Sequence, residues 1–137
     1  MSASPASNGA PLTPEFQLLL TCVRWPKDAS IAALTREQSA RVTDWPRFVA
    51  LVQRHRVGGL IRHALGSAGV AAPPQVAAAM ALQARDYALH ELSSVGETIQ
   101  LVRRLQAAGV QAAVLKGATV ALLAFGRFGV RYSVDID

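Results

Sequence analysis

Twenty-five of the 137 residues are alanine, and only 6% are aromatic. Alanine is the best helix former and a poor strand filler, so a core drawn from this chain must be helical. With 51% hydrophobic and 17% charged residues the chain is not a disordered polymer. It fits one compact domain, or part of a larger one.

The helical reading can be followed along the chain. The leader, residues 1–14, is small, polar and proline-rich, and is expected to be disordered rather than a signal peptide. Glu15 to Trp25 reads as a first helix, with Thr13 as cap and Pro14 in the first turn. Pro26-Lys27-Asp28 breaks it, and Ser30 to Arg41 is a weaker helical stretch. Asp44 caps a stronger one, in which Phe48, Leu51, Val52 and His55 share a face. Gly58-Gly59 interrupts, and Leu60 to Leu65 continues as a short helix ended by Gly66 and Gly69. From Gln75 to Ala108 the pattern is one long helix or two joined end to end, closed by Gly109. Its apolar stripe, Leu92, Val95, Ile99 and Val102, reads as an intramolecular helix seam.

After Gly109 the pattern changes. Val110 to Leu115 is short, apolar and bounded by glycines, as in a buried strand. Lys116-Gly117 is a tight turn, Ala118 to Phe125 a short apolar helix, and Gly126 to Gly129 a loop. Tyr132 to Asp137 alternates as a second strand. The expected fold is therefore a mostly α region over 15–109, followed over 110–137 by the opening of an α/β (α+β) unit. Because the sequence stops inside that second strand, the chain reads as the amino-terminal piece of something longer.

Cys22 is the only cysteine, so no internal disulfide is possible. No stretch is long and apolar enough to drive membrane insertion, and a cytoplasmic location is expected. The net charge of +5 allows an anionic partner such as nucleic acid or a phosphorylated metabolite. Only Lys27 and Lys116 among the basic residues are lysines, so the arginine excess also fits codon bias.

The chemistry concentrates at the carboxyl end. On a strand, Asp135 and Asp137 point to one face about 6.6 Å apart along the chain, while Ile136 faces the other way. Two carboxylates so placed can share two divalent cations, and Mg²⁺ suits a donor set completed by water and phosphate oxygens. A solvated strand edge has the same spacing. Lys116-Gly117 opens a helix after a strand, where glycine admits a phosphate to the N–H groups of Ala118 and Thr119. An ordinary turn reads the same way. Arg131, four residues before Asp135, supplies another positive charge.

Together, Val114-Leu115-Lys116-Gly117-Ala118, the short helix, the glycine loop and Arg131-x-x-x-Asp135-Ile136-Asp137 resemble the start of the catalytic domain in a bacterial nucleotidyltransferase family. That family belongs to the polymerase-beta-like nucleotidyltransferase superfamily. His55-Arg56-Val57 with Leu60, and the long helix ending in Ala108-Gly109-Val110, extend the resemblance upstream. It implies transfer of a nucleotidyl group from an NTP to an unknown acceptor, with release of pyrophosphate. Asp135 and Asp137 would be catalytic and hold two Mg²⁺; Lys116, Gly117 and Arg131 would bind the nucleotide. The superfamily's third carboxylate lies on a later strand beyond Asp137, so these 137 residues alone should be inactive. Lys-Gly replaces the superfamily's usual Gly-Ser step.

Other residues read more simply. Arg54, His55 and Arg56 fit a solvated helix face, although such a trio can also meet phosphate. His63 and His90 lack partners at zinc-ligand spacing. Cys22 fits core filler, and Trp25 and Trp45 are packing anchors. Two alternatives remain. One is a helical module that holds nucleic acid or a protein through Arg54, Arg56 and Arg62; the other is a degenerate transferase kept as a scaffold.

Overall fold

In a computed structural model of the chain, the described residues are 11–115, 117–126 and 129. They form six α-helices: α1 (Pro14–Cys22), α2 (Ala29–Ser39), α3 (Trp45–His55), α4 (Gly58–Ala68), α5 (Pro74–Ala107) and α6 (Ala118–Phe125). Residues 1–10 of the expected leader lie outside the described residues, and Pro14 at its end already begins α1.

Local chemistry sets most of the helix ends. The Thr13 hydroxyl accepts from the Phe16 N–H (3.4 Å) and Pro14 supplies a first-turn φ, so α1 begins where expected. It ends at Cys22 rather than Trp25, because a residue before proline avoids the helical region. The Lys27 ammonium then donates to the Cys22 and Arg24 carbonyls. Asp28 is a cap that the sequence reading missed: its carboxylate accepts from the Ile31 N–H at 2.9 Å and starts α2. Asp44 does the same for α3 through the Arg47 N–H, also at 2.9 Å.

Between α3 and α4 the break falls at Arg56, in the left-handed region at φ 55°, and not at the glycines. Gly58 instead opens α4. A Cβ on Gly58 would lie 3.0 Å from Gln83 Oε1 and 3.5 Å from Tyr87 Cε2, so the missing side chain lets α4 approach α5. Gly69, at φ 66°, closes α4; Gly66 lies inside it.

The core forms where α1 packs against α2, α3 and α4, with α5 closing it from one side. Leu18, Leu19, Cys22, Phe48, Val52, Ile61, Ala64 and Leu65 fill it, and Val76 and Met80 from the start of α5 complete it. Leu51 of the expected α3 face is half-buried, whereas His55 is exposed. The Glu15 carboxylate, itself buried, accepts from the Thr43 and Asp44 N–H groups at 3.4 and 3.3 Å. It thereby ties the start of α1 to the start of α3. Burial raises its pKa, but the amides of Glu15, Asp44 and Thr43 and the Thr13 hydroxyl outweigh that and hold it below the ordinary value.

Two expectations are corrected. The Leu92–Val102 stripe is not a buried seam: Leu92 is 70% exposed and Ile99 46%. A 34-residue helix runs about 51 Å, while α3 and α4, at 11 residues, run about 16 Å, so α5 outreaches the helices it packs on. Nor does Val110 to Leu115 form a strand. Among the described residues no strand is present to pair with it, and a strand exists only within a ladder. The expected second strand, 132–137, lies outside the described residues, so of the expected α/β opening only α6 is seen.

Candidate functional site

The segment that carries the expected chemistry begins at α6. Gly117 precedes this helix at φ 75°, ψ −147°, a backbone conformation essentially reserved for glycine. Its carbonyl accepts the Ala121 N–H at 3.0 Å, which closes the first turn. No side chain caps the helix, so its leading N–H groups lack an internal acceptor. Among the described residues nothing lies within 4 Å of where a Gly117 Cβ would stand. The glycine is thus required by conformation, and no described residue crowds its α-carbon.

Three contacts hold α6 in place. Ala121 is buried against the rest of the fold. Phe125 meets Trp25 edge to face, with centroids 5.2 Å apart, and the same indole faces His63 at 5.5 Å. Beyond the helix, the Gly129 N–H donates to Glu91 Oε2 at 2.8 Å, joining the loop after α6 to the middle of α5. Burial pushes the Glu91 carboxyl above the ordinary range, and the Gly129 N–H opposes that only in part. The exit of α6 is therefore anchored twice, at Phe125 and at Gly129. The sequence offered no signal for Glu91, a lone acid on a polar helix face.

Of the expected site residues, Gly117 is described and stands at the open helix start. Lys116, Arg131, Asp135 and Asp137 lie outside the described residues. Among the described residues, no three histidine, cysteine, aspartate or glutamate side chains gather around a possible metal. His63 rests against Trp25, and His55 against Phe16 with centroids 6.1 Å apart. Cys22 is fully buried. Burial pushes its thiol up to about 12, against opposing pulls from Lys27 and Thr35, so it is no nucleophile near neutrality. A hollow of about 440 Å³ after α5 is lined by Gln106, Gly109, Val110, Gln111 and Ala112, none of them titratable.

The described part of the segment is thus a glycine-initiated helix end. The chain belongs to the uncharacterised nucleotidyltransferase family, whose match runs from residue 41 to residue 137. That span takes in α3 to α6 and all five expected site residues. No curated protein and no solved structure matches the chain. Among the described residues no helix is long and apolar enough to cross a membrane.

Proposed function

We propose that this protein takes part in metal-dependent transfer of a nucleotidyl group from an NTP to an acceptor, with pyrophosphate as the other product, in the manner of the polymerase-beta-like superfamily. The observation that carries the reading is the start of α6. Gly117, in a conformation only glycine tolerates, opens a helix with uncapped N–H groups, and the family match covers that segment. Such a helix start attracts anions through its free N–H groups and its dipole, and so suits the triphosphate. Lys116 and Arg131 add positive charge toward the same phosphates, Lys116 as a compact ammonium and Arg131 as a planar fork.

Asp135 and Asp137, one residue apart in the sequence, are hard carboxylate donors of the kind that fits Mg²⁺. Bound there, the metal would neutralise charge on the phosphates as the bond to the leaving group lengthens. Trp25, through Phe125, and Glu91, through Gly129, hold the α6 exit and so give the following residues a fixed start.

The test is calorimetric titration of the protein with ATP, GTP, CTP and UTP in Mg²⁺. At least one nucleotide should bind, and both Gly117→Ala and Asp135→Asn with Asp137→Asn should weaken it tenfold or more. Unchanged binding in the double variant would remove the metal assignment. Unchanged binding in Gly117→Ala would remove the phosphate role of the helix start.

A further inference from the structure

The positive charge of the chain has an address. Residues 45–85 hold Arg47, Arg54, Arg56, Arg62 and Arg85 with no aspartate or glutamate, whereas the nine basic and nine acidic residues elsewhere cancel. The entire formal net charge of +5 therefore belongs to α3, α4 and the first part of α5. Codon bias would spread arginine along the chain, and it does not explain the lack of acids in this one stretch.

Four of these arginines follow one another along α3, through the α3–α4 turn and into α4. Arg47 and Arg54 stand two turns apart on the solvent side of α3, away from Phe48 and Val52. Arg56 is the left-handed residue at the α3–α4 turn, and Arg62 follows in the second turn of α4. All four are exposed. Among the described residues Arg47, Arg54 and Arg62 form no ion pair, while Arg41, just outside the stretch, is met by Glu37 at 2.6 Å. Helix electrostatics do not account for the set. Arg54 in the last turn of α3 suits the helix dipole, but Arg47 lies in the first turn, where a cation is disfavoured. Without acidic partners, Arg47, Arg54 and Arg62 add like-charge repulsion to this stretch.

We infer that the α3–α4 corner binds the sugar–phosphate backbone of a nucleic acid through Arg47, Arg54, Arg56 and Arg62, without base readout. Guanidinium forks pair with phosphate oxygens in bidentate fashion. Arg47 and Arg54 are about 10 Å apart along the helix axis, close to three phosphate steps of one duplex strand. The surface between them is Ala50, Gln53 and the half-buried Leu51, with Trp45 and Phe48 turned inward. Its one exposed ring, His55, packs against Phe16, and no fully exposed bulky apolar side chain is there to enter a bilayer. The inference does not depend on the nucleotidyl-transfer reading.

The test uses the full chain with labelled duplex DNA and duplex RNA of about 20 base pairs; the two arms tell which backbone it takes. At least one duplex should bind at about 50 mM salt, with a log–log salt slope near −3 to −4 for four phosphate contacts. Arg54→Gln with Arg62→Gln should weaken binding about tenfold or more and reduce the slope by about two. Arg103→Gln with Arg104→Gln removes the same charge at the far end of α5 and should change affinity less than about threefold. Arg47→Gln alone gives an independent reading, with a slope lowered by about one. Three results would overturn the inference: no binding of either duplex, equal weakening by both double variants, or polyglutamate competing as well as unlabelled duplex.

Discussion

The backbone N–H of Gly129 donates to the Glu91 carboxylate at 2.8 Å, joining two residues 38 positions apart. This contact sets where the chain leaves α6, two residues before Arg131. Because burial raises the Glu91 pKa, the folded state holds that proton more tightly than the unfolded chain does. Stability is thus highest below the unfolded pKa and falls as pH rises through the folded one. Glu91→Gln keeps an acceptor for Gly129 and removes the charge, so it should raise the melting temperature at pH 7. The gain should vanish as pH is lowered below the Glu91 pKa. A variant that melts lower than the wild type at pH 7 would show the charge to be needed.

Glu15 has the opposite sign. Its pKa is held down, so its stabilisation is present above the unfolded value of about 4.5 and is lost as pH falls through the lower folded value. Glu15→Gln weakens the acceptor for the Thr43 and Asp44 amides and should cost about 1–2 kcal/mol at pH 7. Thermal melts of variant and wild type should converge toward pH 3.

Two glycines of α4 should respond differently. Gly58 faces Gln83 and Tyr87 across the α4–α5 contact, and Gly58→Val should cost about 1–3 kcal/mol by overpacking. Gly66 has nothing within 4 Å of a built Cβ and sits inside the helix, so Gly66→Ala should stabilise by about 0.5–1 kcal/mol. Urea denaturation of the two variants checks both values.

Cys22 should be chemically silent in the folded protein. With its thiol pushed up to about 12 and its side chain fully buried, it should resist an aromatic disulfide reagent at pH 8 and react at once in concentrated urea. Fast labelling of the native protein would contradict the placement of α1.

Among the described residues Phe48 is the largest fully buried side chain, and it packs into the core that joins α3 to α1. Phe48→Ala should cost about 3–5 kcal/mol, by loss of burial and by the cavity left behind. Calorimetric melting would read this as a large fall in transition temperature.

What the sequence determined by itself was local. Thr13, Asp44, Gly69 and Gly109 mark helix ends because capping acts within a few residues, and the run after Pro74 reads as helical throughout, though whether as one helix or two only the structure decided. Gly117 before α6 was legible for the same reason: a positive φ is a property of one residue. The Asp28 cap had the same kind of local signal and was overlooked.

What only the tertiary structure decided was which surfaces meet. Periodicity correctly places Leu92, Val95, Ile99 and Val102 on one stripe, yet it cannot tell that α3 and α4 are too short to cover them. Gly58 reads as a break until α5 is seen against it, and the turn belongs to Arg56. Val110 to Leu115 has the composition of a strand, but a strand depends on hydrogen bonds to a neighbour that its own residues do not specify. Glu15 and Glu91 find their partners 28 and 38 residues away. A hydrogen bond across that distance depends on how the helices pack, and no spacing in the sequence encodes it.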